Sequence, residues 1–245
     1  MSAPVFIADP DRLHGGDRIV LDGEDGRHAA IVRRIAPGEG VDLTDGAGHL
    51  ARCIVVATDR QSITCAVHSR VDIPRPQLRV VVVQAIPKAD RGEAAVESMT
   101  EVGVDEIVPW AAERCIARWR GDRAGKSLQR WRSTAREAAK QSRRCWLPWV
   151  ADVATTPAVV MRVGDAALGV VLHEQAATPL SALDLPPVGD VVLVVGPEGG
   201  VTPAEVDALQ AAGAVTARLG PTVLRTSTAG TVAAGILLAR TSRWA

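Results

Sequence analysis

Two short turns in the last quarter of the chain carry residue types from which a small-molecule site can be built. Gly196-Pro197-Glu198-Gly199-Gly200 follows the apolar run Val191-Val192-Leu193-Val194-Val195, and Leu219-Gly220-Pro221-Thr222-Val223-Leu224-Arg225-Thr226 lies shortly beyond it. Small residues and prolines leave main-chain amides and carbonyls open to a ligand, so the pair suits a nucleotide-like cofactor held by backbone groups. Arg225 is placed to steady a developing negative charge, and its ordinary alternative is an ion pair with a carboxylate such as Glu198. The first turn is not a P-loop, since no Gly-Lys-Ser/Thr follows, nor does it carry Gly-x-Gly-x-x-Gly. A third piece, Val170-Val171-Leu172-His173-Glu174, sets His173 directly after a buried strand. Open α/β sheets bind ligands there, although a histidine is most often satisfied by its neighbours.

The elements that must position these residues are legible as alternating strands and helices. Strands are predicted over 79–85, 106–110, 167–172, 190–195 and 215–219. Helices are predicted over 91–102, 127–142, 158–164, 203–212 and 228–240. Continuous β-branched runs mark strands covered on both faces, so the alternation implies a parallel sheet between two helical layers. Thr202-Pro203-Ala204-Glu205 has the spacing of a capping box with proline in the first turn. Thr226 or Ser227 is expected to cap the closing helix.

Upstream, the segments 40–43, 49–57 and 62–71 read as strands joined by tight turns at Asp45-Gly46 and Asp59-Arg60. They imply a small β-rich unit, with a short helix over 28–35 carrying Arg33 and Arg34. Ile73-Pro74-Arg75-Pro76-Gln77 reads as a stiff extended linker, because its prolines forbid both helix and regular ladder. Two domains follow, 1–73 and 77–245.

The chain has 245 residues, 47% hydrophobic and 23% charged, the profile of a globular protein. No apolar run approaches membrane-spanning length, and Met1-Ser2-Ala3-Pro4-Val5 lacks the basic start of a signal peptide. A cytoplasmic protein without a membrane partner is therefore expected. Cys53, Cys65, Cys115 and Cys145 are scattered with no Cys-x-x-Cys pair, which argues against a zinc site.

Lys and Arg balance Asp and Glu at 28 each, but from Glu113 to Arg144 bases greatly outnumber acids. Arg132, Arg136, Lys140 and Arg144 recur every four residues and would form one helical ridge. The scarcity of interspersed acids favours contact with a phosphate backbone over a merely solvated face. Stacking residues are few: the chain has no tyrosine and one phenylalanine.

Taken together these residues resemble the RsmE family, SPOUT-class methyltransferases acting on 16S ribosomal RNA. The resemblance rests on the first turn, on Leu219-Gly220-Pro221 and on Leu224-Arg225-Thr226. It extends to Lys88, Glu97-Ser98, Glu101-Val102-Gly103-Val104, Glu113-Arg114-Cys115, Gln141-Ser142, Arg144 and Pro148, in the family's order over the whole chain. It implies an α/β C-terminal SPOUT domain, with a parallel sheet, helices on both faces and a trefoil knot, and a small N-terminal PUA-like β-barrel. It also implies a homodimer and S-adenosyl-L-methionine as cofactor, with no metal.

The implied reaction is N3-methylation of the uridine at position 1498 of 16S rRNA in the small ribosomal subunit. Arg225 and Glu198 would be catalytic. Leu172 and His173, then Gly196, Glu198, Gly199 and Gly200, then Leu219, Gly220, Leu224 and Thr226 would hold the cofactor. Arg33, Arg34, Lys88, Arg114, Arg132, Arg136, Lys140 and Arg144 would hold RNA. Glu198 and bulk water both remain as the proton acceptor.

The chain departs from the family pattern in several places. Arg225-Thr226-Ser227 stands where many relatives read Arg-Thr-Glu, Arg143 where they have Gly before Arg, and Trp146 where a basic residue is frequent. The arginine usual near Val5-Phe6 is missing. Ser227 motivates one alternative, an RNA-binding ribosome-assembly protein of the same fold without transferase activity. Methylation of a ribose hydroxyl is another, since that chemistry shares the fold class.

Overall fold

A computed structural model describes residues 3–88, 91–119 and 121–244. Two compact units divide the chain, one made of Met1–Arg75 with Ala139–Leu147, the other of Pro76–Ala138 with Pro148–Ala245. The segment 139–147, which linear reading assigns to 77–245, thus packs with the N-terminal strands.

The first unit contains β1 (Val5–Ile7), α1 (Pro10–His14), β2 (Arg18–Leu21), α2 (Gly23–Arg27), β3 (Gly40–Thr44), β4 (His49–Thr58) and β5 (Ile63–Asp72). Their sheet order is β1-β3-β4-β5-β2, antiparallel except for β1 against β3. The expected Asp-Gly hairpin is present: Gly46 and Gly48 adopt φ 77° and 100°, and Asp45 Oδ1 accepts the amides of Ala47 and His49. The helix expected over 28–35 is a π-helical turn at His28–Val32 continuing α2, with Arg33 and Arg34 just past its end. Its core gathers alternate residues of the strands, among them Ile19, Val41, Leu43, Val55 and Ile63. Burial pushes the Cys53 and Cys65 thiols up to about 11 and about 12, so both stay protonated and inert at neutral pH.

The second unit runs β6 (Leu78–Ala85), α3 (Arg91–Val102), β7 (Glu106–Trp110), α4 (Asp122–Gln141), β8 (Trp149–Val150), α5 (Thr156–Gly164) and β9 (Leu168–Leu172). It continues with β10 (Gly189–Val195), α6 (Pro203–Ala211), β11 (Val215–Ala217) and α7 (Thr226–Leu238). The last turn of α4 belongs to the first unit. Six strands pair in the order β11-β9-β10-β6-β7-β8, every pair parallel. Val80 to Val83 are each fully buried because alternate side chains enter two different cores. Val80, Val82 and Leu193 meet Met99, Trp131 and Leu237 on one face; Val81, Val83 and Val194 meet Trp110, Val159 and Leu209 on the other.

Helix packing is close where side chains are small. A Cβ on Gly230 of α7 would lie 2.9 Å from Met99 Sδ and 3.2 Å from Val82 Cγ1, so only glycine lets α7 approach α3 and the sheet this closely. Ion pairs tie the amino-end side of the sheet: Arg79 reaches Asp190 at 3.1 Å and Glu106 at 3.0 Å, and Arg162 reaches Glu106 at 2.8 Å. The opposite edge, where the strands end, is left for the loops of the site.

Candidate active site

Because β9, β10 and β11 are parallel and neighbouring, the loops that leave their carboxyl ends converge. They enclose a cavity of about 680 Å³ lined by Leu172 and His173, by Gly196 to Gly200, and by Leu219, Gly220 and Thr222 to Thr226. Sheets of this type open their binding crevice there. All the residues expected to hold a cofactor line this cavity, and so do Arg225 and Glu198.

The first turn is shaped by contacts that exclude side chains. A Cβ on Gly196 would sit 2.7 Å from Val201 Cγ2, and Gly200 has φ +75°, a left-handed conformation that favours glycine. The Gly200 amide donates to Pro197 O at 2.8 Å and closes the turn. Two neighbouring segments hold it from outside: the Lys88 amide donates to Glu198 Oε1 at 3.2 Å, and Arg114 Nη1 donates to Gly199 O at 3.1 Å.

Behind the turn, Thr202 and Glu205 form the expected capping box at the start of α6. Glu205 is buried and accepts from the Glu113 amide at 2.9 Å, the Thr156 hydroxyl at 3.0 Å and the Thr202 amide at 3.0 Å. Burial alone pushes this carboxyl up, but the hydrogen bonds from Glu113, Thr202 and Thr156 outweigh it and hold it below the usual glutamate value. Glu205 thereby fastens the first turn to the segment that carries Arg114.

The second turn is held by Arg218, whose side chain donates to the carbonyls of Ala176 and Ala177 while its backbone leaves β9 and bonds to Thr178 O and the Leu180 amide. This is why β11 stops at Ala217, short of the predicted 219. His173 is tied locally: its amide donates to Ala217 O at 2.9 Å and its Nδ1 accepts the Gln175 amide at 3.2 Å. Nδ1 is thus occupied as an acceptor. Among the described residues, the amides of Leu219, Gly220 and Leu224 have no hydrogen-bond partner.

Closing helix α7 begins at Thr226, two residues before the prediction, and its cap is Arg225 with no side-chain hydrogen bond. The expectation of a Thr226 or Ser227 cap is therefore corrected. Thr226 lies inside the helix, buried, and its carbonyl accepts from Gln84 Nε2 at 3.2 Å. An uncapped helix start keeps its first amides free for an acceptor from a ligand. The Glu198–Arg225 ion pair is also absent among the described residues. Glu198 takes the Lys88 amide instead, and the exposed Arg225 guanidinium has no partner among them.

The residues expected to bind RNA fall into different situations. Arg33 and Arg34 are exposed, Arg34 with φ 52°; Lys88 is exposed; Arg114 is anchored on the first turn. Arg132 donates to Val150 O at 3.1 Å and Asp152 Oδ1 at 2.9 Å, and lies over the exposed Trp149 ring at 5.9 Å. Arg136 is half-buried on the same helix. The four-membered ridge does not survive beyond it. Lys140 is buried and pairs with buried Asp25 at 2.8 Å, so its ammonium is withdrawn from the surface. Arg144 lies past the end of α4 and donates to Trp146 O at 3.0 Å. Arg120, part of the basic window, is outside the described residues.

Sequence reading missed Gln84 and Arg218 as parts of the frame. Gln84 carried a signal, a lone amide ending a run of valines; Arg218 carried none. Gln84 also keeps Oε1 buried without a partner among the described residues, at the base of α7.

Residues 74–238 match the model of the RNA methyltransferase domain, and residues 21–67 that of the RNA methyltransferase PUA domain. Ribosomal RNA small subunit methyltransferase E of Mycobacterium bovis is 48% identical over 100% of this chain and 94% of its own length. The chain belongs to the ribosomal RNA small subunit methyltransferase E family. The Bacillus subtilis member is 31% identical over 85% of either chain. The Neisseria gonorrhoeae member, solved bound to S-adenosyl methionine, superposes with TM-score 0.84 at 26% identity, covering 98% of both chains. A Legionella pneumophila methyltransferase solved with the cofactor SAM gives 0.86 at 27% identity, again over 98% of both. In this chain Ser227 stands on the first turn of α7.

Proposed function

We propose that this chain uses S-adenosyl-L-methionine to methylate N3 of the uridine at position 1498 of 16S rRNA in the small ribosomal subunit. The observation that carries the reading is the meeting, in one cavity, of three backbone-rich loops with an unpaired guanidinium. The cofactor fits the residues present. A cavity of about 680 Å³ is in the range of small-molecule sites, and the unpartnered amides of Leu219, Gly220 and Leu224 are the donors an adenosine moiety needs. Leu172, Gly196, Gly200, Leu219 and Leu224 would hold it through their main chain; that relatives were solved with this cofactor supports the choice of cofactor. When bound, the group supplies an electrophilic methyl and its own neutral leaving group, so no covalent enzyme intermediate is required.

The chain's own residues then have two tasks. Orientation of donor and acceptor comes from the rigid turns, which are held by Glu205, Arg114 and Arg218. Loss of the weakly acidic N3 proton leaves negative charge on the uracil oxygens, and Arg225 with the open start of α7 stabilises it. Glu198 or water accepts the proton. Since N3 lies on the pairing edge, the base must be unpaired or extruded. Arg33, Arg34, Lys88, Arg114, Arg132, Arg136 and Arg144 hold the RNA backbone; Lys140 is not in this set. The same reading includes a homodimer, a trefoil knot in the turns of the cavity, a domain division at the linker 73–77 and a cytoplasmic location.

The test incubates the protein with labelled S-adenosylmethionine and small subunits lacking the modification, followed by nucleoside analysis of the 16S rRNA. Labelled N3-methyluridine supports the proposal. A labelled 2′-O-methyl nucleoside moves it to ribose chemistry, and RNA binding without cofactor binding or transfer makes it an assembly protein.

A further inference from the structure

We propose that His14, Asp45 and His49 of the N-terminal unit form a binding site for a divalent transition metal of the zinc class. None of these residues lines the cavity of the methyltransferase unit, and the inference does not depend on the proposed reaction. One donor atom from each lies within 4.8 Å of the others. The three come from the end of α1, the β3–β4 turn and the start of β4, so no spacing motif in the sequence could reveal them.

His49 and Asp45 are each oriented by a partner that leaves one ligand atom available. His49 and Asp72 are cross-strand neighbours at the open end of the β4–β5 pair, and Asp72 Oδ1 lies 2.7 Å from His49 Nδ1. In the neutral tautomer whose Nδ1–H donates to Asp72, Nε2 carries the lone pair a metal needs, and Nε2 lies 3.9 Å from Asp45 Oδ2. Asp45 is fixed through its other oxygen, which accepts the amides of Ala47 at 2.7 Å and His49 at 3.2 Å. Its side chain is only 4% exposed. The His14 ring meets the His49 ring edge-on with centroids 4.5 Å apart. Arg70 holds this end of α1 by donating to the carbonyls of Leu13 at 2.9 Å and Gly16 at 2.6 Å.

A histidine that donates its second nitrogen to a carboxylate is the usual support of a metal ligand. Two imidazoles with one carboxylate suit zinc, cobalt, nickel or copper better than magnesium or calcium. An ion about 2.0–2.2 Å from each donor brings the donors to roughly 3.3 Å from one another, a small closure that the exposed His14 ring can supply. Three protein ligands leave the fourth position to water. Bound there, the ion ties α1 to the β3–β4 hairpin.

The experiment uses the full chain, free of tags and stripped of metal, titrated with Co²⁺ alone and then with Zn²⁺. The expected result is one equivalent of cobalt with the visible absorption of a low-coordinate ion, displaced by one equivalent of zinc. Zinc should raise Tm of the parent and leave that of His14→Ala unchanged. Asp72→Asn should weaken zinc by about 10–100-fold, while His68→Ala, at an exposed histidine of β5 outside the cluster, leaves it unaltered. The exposed position of His14 keeps that variant folded, which circular dichroism without metal checks. Binding that is weak, multiple or indifferent to His14→Ala and Asp72→Asn means an adventitious ion only and overturns the site. Equal competition by Mg²⁺ overturns the assignment to the zinc class.

Discussion

Arg225 and Glu198 line one cavity without pairing, because the Glu198 carboxylate is already engaged by the Lys88 amide. A guanidinium left unpaired at the start of a helix is available for charge that develops elsewhere. Arg225→Ala should therefore lower kcat by about 10²-fold or more while leaving cofactor affinity within a few-fold, measured by single-turnover methylation and calorimetry. Loss of cofactor binding in step with kcat would instead make Arg225 a cofactor anchor. Glu205 acts at one remove, by holding the first turn. Removing its charge leaves the donors of Glu113, Thr156 and Thr202 facing a weaker acceptor, so Glu205→Gln should cost about 1–3 kcal/mol in urea unfolding at pH 7. Its carboxyl is depressed in the fold, so this stabilisation is complete above the unfolded glutamate value near 4.3 and disappears as pH falls through the lower folded value. The parent and the variant should accordingly converge in stability on acidification.

Three helix ends of the chain share one pair of hydrogen bonds. At the end of α3 the Gly103 amide donates to Thr100 O and that of Val104 to Met99 O, with Gly103 at φ 109°. The end of α6 repeats this with Gly213 at φ 99°. At the end of α4 the same pair of bonds runs from Arg143 to Lys140 and from Arg144 to Ala139, yet the left-handed residue is Arg143 at φ 59°. Glycine is the natural occupant of this position, and an L side chain there is strained. Arg143→Gly should stabilise the protein by about 1 kcal/mol, read as a higher urea midpoint at unchanged m. Elements were largely legible because their signals are local: β-branched runs, Thr202-Pro203-Ala204-Glu205, and glycine stops. The start of α7 was misplaced because the hydroxyls of Thr226 and Ser227 advertise a cap, while burial of Thr226 against Gln84 draws it into the first turn. The short β1, β2 and β8 were unread; each has four residues or fewer, too few for a period to emerge.

At the scale of the whole chain, zero net charge conceals how its cations are divided. Arg132 stays on the surface against the exposed Trp149, whereas Lys140, two helical turns on, is buried against Asp25. Arg132→Ala should weaken RNA binding and reduce the slope of log K against log salt by about 1, measured by filter binding over a salt series. Lys140→Met should instead leave that slope unchanged and lower the urea midpoint, because it removes the buried ammonium that pairs with Asp25. A salt slope altered by Lys140→Met would return it to the RNA surface. The amino-acid sequence by itself determined the parallel sheet, the two glycine-rich turns and the family, since these rest on local pattern and on motifs kept in order. Tertiary structure alone decided the rest. It closed three loops around one cavity because β9 lies between β10 and β11, so that β11 pairs with β9 and not with β10, the strand before it. It left Arg225 unpaired and withdrew Lys140. It also returned 139–147 to the N-terminal unit and gathered His14, Asp45 and His49. Each of these depends on which residues meet across tens of positions, and a local pattern carries no record of such meetings.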